Sequence, residues 1–200
     1  LYPKALADTA ARLGHDTFRK VGYYLNKIGP LFSPVAVDCA FIGASSRDTQ
    51  ELLAAAAAEL GDLPVCVLAG ADQLDEVSPI SVTNCIDVDE KGNRELFSID
   101  PASLPIDVMT LEDLAGLGPM RSAELLEEIL GGQGTPQQTA TVAINGAAVL
   151  WRLGRYDSIS TAYEACIELL KEGRPAQKVR VLREALAETS EELLITSGSS

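Results

Sequence analysis

A short acidic segment contains the residues best suited to chemistry. Asp72, Asp75 and Glu76 place three carboxylates within five residues, directly after the apolar run at residues 65–69. In open α/β sheets, ligands bind beyond the carboxyl ends of the strands. Carboxylate oxygens suit magnesium, an ion that usually keeps several waters and bridges to substrate phosphates. Taken alone, the pair Asp75 and Glu76 is more typical of a solvated acidic loop, so its surroundings must decide between the two interpretations.

The surrounding residues predict a strand–helix–strand unit. Residues 35–43 are predicted to form one strand and residues 65–69 a second, both rich in β-branched and apolar side chains. Between them, Ser45 or Ser46 is placed to cap a helix over residues 46–60. We expect the two strands to lie side by side and parallel, with the helix crossing over between them.

The remainder of the sequence predicts a hairpin followed by helices. Residues 84–88 and 94–98 form the predicted hairpin, and the turn-forming residues 89–93 join them. Four helices are predicted after the hairpin, at residues 122–130, 136–153, 158–171 and 175–188. The fold class is therefore α/β, with a mostly parallel central sheet flanked by helices, a β-hairpin and a fragment of a helical lobe at the N-terminus.

This pattern also predicts how the chain is divided. Residues 1–34 are interpreted as a remnant of a helical lobe and a linker, residues 35–190 as an α/β domain, and residues 191–200 as a flexible tail. The apolar side chains of Leu1 and its helical neighbours would then lack a partner within this chain. Because the chain opens on Leu1 rather than methionine, we expect a processed or truncated product with a segment before it.

Composition excludes several classes of partner. The formal net charge is −13, from 29 acidic and 16 basic residues, which argues against a nucleic acid or an anionic membrane surface. A phosphorylated substrate is still compatible, because backbone N–H groups and magnesium can hold phosphate. No apolar run reaches the ~18 residues of a membrane helix, and no signal peptide is visible.

The cysteines predict a reducing compartment rather than a metal site. None of the four has the spacing of a zinc motif, and His15 is the single histidine. We interpret them as buried thiols without disulfides, which favours the cytoplasm, or a plastid if the source is photosynthetic.

Five stretches in the same order resemble anthranilate phosphoribosyltransferases. Residues 70–76 resemble the family's glycine-x-aspartate-glycine-leucine-aspartate-glutamate motif, with Gln73 in place of the usual glycine. The other four stretches are the glycine–proline segment at 25–34, the isoleucine–glycine strand end at 41–43, an asparagine with an alanine block at 142–150, and a closing helix at 176–186. The resemblance covers roughly residues 1–186.

The resemblance implies transfer of phosphoribose from phosphoribosyl pyrophosphate to the amine of anthranilate, a step of tryptophan synthesis. It implies magnesium as the cofactor, held on the pyrophosphate by Asp75 and Glu76. It also suggests Arg12 and Asn26 as substrate-binding residues, while the catalytic residue is unknown. Small molecules are the implied substrates, and a homodimer or a separate N-terminal lobe is left open as partner.

Three departures from the family pattern leave an alternative open. The glycine-rich phosphate loop does not occur in this chain, and Gly131 to Gly134 follows a predicted helix and is interpreted as a linker. Arg12 is out of register by one, and Asp16 stands where the family has an arginine that faces anthranilate. The segment between Gly14 and Gly29 is also longer than usual.

We therefore expect the 200-residue chain alone to be inactive. Two alternatives to the main interpretation remain. One is a diverged, non-enzymatic relative that acts in binding or assembly. The other, less favoured by the acidic pair, is a relative of the pyrimidine nucleoside phosphorylases.

Overall fold

The structure is a computed structural model. It describes residue 12 and residues 29–31, 37–61, 63–114 and 118–197, with residues 188–197 described by their backbone alone. By contacts, the chain forms two compact units. The first comprises Leu1–Glu76 and Val82–Ile99, and the second comprises Val77–Ser81 and Asp100–Ser200. The boundaries predicted at residues 34 and 190 remain a prediction.

The first unit is built on a four-stranded sheet. Its strands are β1 (Ala40–Gly43), β2 (Val65–Gly70), β3 (Thr83–Val88) and β4 (Arg94–Ile99), in the order β1-β2-β3-β4. Strands β1 and β2 are parallel, as predicted. The pairs β2–β3 and β3–β4 are antiparallel. The α/β class is confirmed, but among the described strands the expectation of a mostly parallel sheet is wrong.

The antiparallel pairing of β2 with β3 has a local cause. The segment that leaves β2 at Gly70 turns back on itself, and the Ala71 N–H donates to the Val82 carbonyl at 2.9 Å. That bond continues the ladder in which Gly70 lies opposite Thr83. Residues 71–82 therefore act as a long hairpin connection, and no helix intervenes to carry the chain back to the other end of the sheet.

Strand β1 is shorter than predicted because its pairing with β2 begins only at Val65. Its first residue, Ala40, pairs with Val65, and the Ala40 N–H donates to the carbonyl of Pro64 at 3.0 Å. Proline has no N–H to donate, so the ladder cannot continue beyond Pro64. Residues 37–39 accordingly lie outside the strand, although the sequence predicted one from residue 35.

The crossover helix α1 (Arg47–Leu60) forms as the sequence predicts. The Ser46 side chain accepts a hydrogen bond from the Thr49 N–H, and Gly61 ends the helix at φ 64°. The buried positions follow a spacing of three and four residues, which places them on one face: Gln50, Leu53, Ala54 and Ala57. This face packs with alternate residues of the sheet, among them Val65, Val67, Ala69, Ile86 and Val88.

Among its described residues, the second unit has four α-helices: α2 (Pro119–Leu130), α3 (Pro136–Arg152), α4 (Ile159–Lys171) and α5 (Arg174–Ser197). Two short 3-10 helices, Pro101–Ser103 and Leu111–Leu114, precede them. Helix α3 starts with a capping box, in which Thr135 and Gln138 each bond the other's backbone. Helices α3 and α4 pack closely, and a Cβ at Gly146 would lie 3.2 Å from the Cys166 sulfur. Gly131 and Gly132 end α2, so the predicted linker between two helices is confirmed.

Two helix boundaries differ from the prediction. Helix α2 begins at Pro119, three residues before the predicted start, because Pro119 occupies the first turn, where its missing N–H costs nothing. Helix α5 runs to Ser197, past the predicted end near residue 188 and into the expected tail. No glycine or proline lies between Pro175 and Gly198, so nothing in that stretch breaks the helix.

One buried polar side chain connects α1 to the sheet. Gln50 is 3% exposed, and its Nε2 donates to the carbonyls of Val67 (2.9 Å) and Asn84 (2.7 Å). We expect Gln50→Met to lower the free energy of unfolding by about 1–3 kcal/mol, because the change removes the donor and keeps the length of the side chain.

Urea unfolding followed by circular dichroism measures this difference. The control is Leu52→Gln on the exposed face of the same helix, where Leu52 is 59% exposed and a change within about 0.5 kcal/mol is expected. A Gln50→Met chain as stable as the parent would show that these two bonds contribute no net stability.

Candidate functional site

The acidic segment begins with a loop closed by its own hydrogen bonds. The Gly70 N–H donates to the Leu74 carbonyl at 2.9 Å, and the Gln73 N–H donates to the Gly70 carbonyl at 3.0 Å. The Asp72 carboxylate accepts from the Leu74 N–H at 3.2 Å. Asp72 therefore shapes the loop, and its carboxylate is turned toward the backbone of its own segment.

Asp75 and Glu76 follow this loop and are exposed. They lie where the sequence placed them, beyond the carboxyl end of β2. Gly43, the last residue of β1, fixes the approach, because a Cβ at that position would overlap the Asp75 carbonyl oxygen. The backbone of Asp75 thus crosses directly over the end of the parallel neighbour β1, which explains why a glycine ends that strand.

Val77 marks a change from exposed to buried backbone. Val77 is 1% exposed and Ser78 is fully buried. The Asn145 side chain on α3 pairs with both backbone groups of Val77: its Oδ1 accepts from the Val77 N–H at 2.9 Å, and its Nδ2 donates to the Val77 carbonyl at 3.0 Å. The Ser78 hydroxyl then accepts from the N–H groups of Ile80 and Ser81, each at 3.0 Å.

The donor set at Asp75 and Glu76 consists of two carboxylates. Among the described residues, no group of three or more His, Cys, Asp or Glu side chains is arranged to hold a metal ion. Two exposed carboxylates fit magnesium in one respect, since that ion is usually held by one or two protein carboxylates together with waters and substrate phosphates. The assignment of Asp75 and Glu76 as metal ligands therefore remains a prediction that requires a phosphate-bearing ligand.

The other predicted site residues fall mostly outside the described ranges. Arg12 is described as an exposed helical residue. Asn26, His15 and Asp16 lie outside the described residues, as do the leucines predicted to lack partners. Of the two predicted substrate-binding residues, the described part of the chain therefore includes Arg12 alone, and the role of both remains a prediction.

The four cysteines carry thiols and form no disulfide. Cys66, Cys85 and Cys166 are buried, whereas Cys39 is half-buried. Burial raises the pKa of the Cys166 thiol above its ordinary value. The expectation of buried thiols is confirmed for the three buried residues.

The second unit contains a cavity that sequence reasoning missed. Its volume is about 660 Å³, and it lies between the start of α3 and the last turns of α4. Tyr163, which is 3% exposed, contributes to its wall together with Asp107. Burial, and then the nearby charge of Asp107, raise the pKa of the Tyr163 phenol. None of the described helices combines the length and apolar character that a membrane span requires.

Comparison with known proteins identifies the family. The sequence model described as "Glycosyl transferase family, a/b domain" matches residues 6–176. The chain therefore belongs to this glycosyl transferase family. It is 34% identical over 151 residues to the anthranilate phosphoribosyltransferase of Aeropyrum pernix, which covers 76% of this chain and 44% of that protein.

Solved structures support the same relationship. A Saccharomyces cerevisiae anthranilate phosphoribosyltransferase variant with Mg bound has a TM-score of 0.64 and 25% identity, covering 75% of this chain and 43% of that one. The yeast protein in complex with PRPP and Mg has the same TM-score and coverage at 24% identity. The resemblance stated from the sequence is confirmed, and the chain spans less than half the length of these relatives.

The sequence alone does not reveal what Gly43 and Asn145 do. By sequence, Gly43 is part of a strand end and Asn145 is part of an alanine block. A sequence signal for Asn145 does exist: it is a polar residue beside Ala143, Ile144 and Ala147, which are buried. A buried polar group needs a partner, but its partner at Val77 is 68 positions away and no local pattern reveals it.

Gln73 has a strained backbone. At φ 70° it is the one non-glycine residue with a positive φ among the described residues. It occupies the position where the family motif has glycine. We expect Gln73→Gly to raise the free energy of unfolding by up to about 1 kcal/mol, because glycine adopts this conformation without a steric cost.

Gln73→Ala is the matched control for this change, since it also removes the exposed side chain but keeps the Cβ that causes the strain. Urea midpoints of the three chains provide the comparison. If the free energy of unfolding rises equally in the alanine and glycine variants, the gain comes from removing the glutamine side chain and not from relieving backbone strain.

The buried phenol predicts a dependence of stability on alkaline pH. Because the pKa of Tyr163 is higher in the folded chain than in the unfolded one, its contribution is present below the unfolded pKa and is lost as pH rises through the folded pKa. We expect the urea midpoint to fall between about pH 9 and pH 11, the region where unfolded tyrosine begins to ionise.

Tyr163→Phe should make that decline less steep, because the ring stays and the ionisable hydroxyl is removed. The thiol of Cys166 contributes a decline of the same sign that persists in this variant. Identical slopes for the parent and the variant would exclude Tyr163 as a source of the effect.

Proposed function

We propose that this chain supplies the magnesium-binding, pyrophosphate-facing part of an anthranilate phosphoribosyltransferase. The observation that supports this most directly is the exposed pair Asp75 and Glu76, which lies beyond the ends of two parallel strands. The motif match and the family membership over residues 6–176 point to the same reaction. The yeast protein of similar fold in complex with PRPP and Mg supports this proposal.

The proposed chemistry is electrostatic. Magnesium, when bound with phosphoribosyl pyrophosphate, would offset the negative charge that develops on the leaving pyrophosphate. In this chain, Asp75 and Glu76 would hold the ion, and the closed loop from Gly70 to Leu74 would keep the pair in place without reorganisation. Arg12 and Asn26 are the proposed contacts to substrate.

The rest of the reaction is proposed to require further groups. A phosphate cradle of backbone N–H groups would fix the leaving group in line with the attacking amine, and misplacement by about 1 Å can cost on the order of a hundredfold in rate. The described loops of this chain do not include the family's glycine-rich sequence. A separate N-terminal lobe would supply it. The buried thiols favour the cytoplasm or a plastid as the compartment.

A second candidate function is binding or assembly without catalysis. It is favoured by Asp16, which stands where the family has an arginine that faces anthranilate. A carboxylate there would repel the anthranilate carboxylate, whereas an arginine would hold it through a charge-assisted pair. Retained binding of magnesium and phosphoribosyl pyrophosphate, without binding of anthranilate, would favour this alternative.

The double change Asp75→Asn with Glu76→Gln tests the proposed metal site. Isothermal titration with phosphoribosyl pyrophosphate in the presence of magnesium should show at least about a tenfold loss of affinity, because amides bind this ion much less well than carboxylates do. Without magnesium, the variant should bind the ligand no less well than the parent, because the change removes two negative charges that repel the pyrophosphate.

The control is Glu90→Gln with Glu95→Gln, which removes the same two charges from exposed positions on the hairpin of the same unit. This variant should bind like the parent. If the Asp75 and Glu76 variant also binds like the parent, the site assignment is wrong. A parent chain that binds no magnesium–phosphoribosyl pyrophosphate would overturn the proposed function.

A further inference from the structure

Asn145 lies in one of the stretches that resemble the family, and the proposed function does not use its contacts. Its side-chain amide pairs with both backbone groups of Val77, at 2.9 and 3.0 Å. The same Nδ2 also donates to the Thr141 carbonyl one turn earlier in α3, at 3.0 Å. Both amide hydrogens and the amide oxygen are therefore in use, and the side chain has a single orientation that satisfies all three bonds.

The backbone N–H and carbonyl of Val77 have no ready alternative to the Asn145 amide as a hydrogen-bond partner. Val77 is 1% exposed, so water has little access to its N–H and carbonyl. Asn145 presents an acceptor and a donor in the way that a neighbouring strand would, although Val77 lies in no strand. Removing the amide would leave both buried groups of Val77 without their partner, a situation that folded chains avoid.

The pairing between Asn145 and Val77 also affects Glu76, because Val77 directly follows Glu76 in the sequence. The Val77 N–H belongs to the same planar peptide unit as the Glu76 carbonyl. Holding that N–H at Asn145 therefore fixes the orientation of the peptide plane and the direction in which the chain leaves Glu76. Glu76 itself is exposed, so few contacts of its own side chain could set this direction.

We propose that Asn145 is a positioning residue for the carboxylates of Asp75 and Glu76. It acts through the backbone of Val77, and it tunes the affinity of the pair for magnesium bound to a pyrophosphate group. This inference rests on the proposed function for its ligand, but the effect on the backbone does not depend on that function.

Amide hydrogen exchange of the full 200-residue chain, measured by NMR, tests the backbone part. In Asn145→Ala we expect the Val77 amide to exchange at least about tenfold faster relative to the amides of α3, since one well-formed hydrogen bond corresponds to about that factor. The control is Ile144→Val, which removes one methyl group from the adjacent, fully buried residue and leaves the Asn145 amide unchanged. It should speed exchange evenly and without a specific effect at Val77.

Asn145→Asp covers the case in which the alanine variant does not fold. Its carboxylate can still accept from the Val77 N–H but cannot donate to the carbonyls of Val77 and Thr141. We expect the Val77 amide to stay protected in this variant and the affinity for magnesium–phosphoribosyl pyrophosphate to stay close to that of the parent, because the held N–H still orients the Glu76 peptide plane. A clear loss of affinity with Val77 still protected would contradict the inference. Equal exchange at Val77 in the parent and in Asn145→Ala would overturn the inference.

Titration with magnesium and phosphoribosyl pyrophosphate tests the ligand part. Asn145→Ala should lower the affinity about tenfold while Ile144→Val leaves it unchanged, and a purely structural role would affect both variants in proportion to their lost stability. If the parent binds and Asn145→Ala binds equally well, the inference is wrong while the proposed function stands. If the parent does not bind, the proposed function and the ligand part of the inference are both overturned, and the exchange at Val77 separately decides the backbone part.

Discussion

The buried backbone polar groups in the segment that follows β2 need partners although most of the segment lies outside the sheet, and the arrangement of the candidate site follows from how these partners are provided. Gly70 and Leu74 close the first loop through their own backbone. Further along the segment, side chains provide the hydrogen-bond partners. Asn145 pairs with Val77, and the Ser78 hydroxyl accepts from two N–H groups. An unpaired buried amide costs about 1–3 kcal/mol, so these partners decide which conformations of the segment are accessible.

The same requirement determines the direction of the sheet. Because the Ala71 N–H bonds the Val82 carbonyl, the segment leaves and re-enters the sheet at neighbouring points. The next strand can then only run antiparallel to β2. The parallel pair β1–β2 and the antiparallel hairpin β3–β4 are therefore joined by a connection whose geometry is also that of the proposed site. A change that alters this connection affects both the sheet and the carboxylates.

The sequence was informative where the deciding interactions are local. Ser46, Thr135 and Ser158 accept from backbone N–H groups three residues later, so their roles as helix caps were predictable from residue type and position. The β3–β4 turn is similar, because Asp89 accepts from the N–H groups of Lys91 and Asn93, both at 2.8 Å. Hydrogen bonds from the Asn93 side chain and backbone lower the pKa of the Asp89 carboxyl.

Prediction failed where distant residues decide. The direction of β3 depends on a bond between Ala71 and Val82, and the segment between them has none of the dipeptides that mark a tight hairpin. The site residues show the same division. Asp75 and Glu76 were recognisable by charge and by their place after a strand. The contributions of Gly43 and Asn145 depend on contacts that only the folded chain creates.

The charge of the chain constrains how the proposed ligands would bind. With a net charge of −13, the molecule repels a free pyrophosphate group at long range. Magnesium alone also binds weakly to two exposed carboxylates, because the ion gives up its bound waters reluctantly. Each ligand lowers the cost of binding the other: the ion offsets negative charge, and the phosphate oxygens replace waters. By linkage, the factor by which magnesium strengthens phosphate binding equals the factor by which phosphate strengthens magnesium binding. The proposed site would therefore favour the joint complex over either component, and its selectivity for a phosphorylated ligand would follow from having two carboxylates as the protein's own ligands.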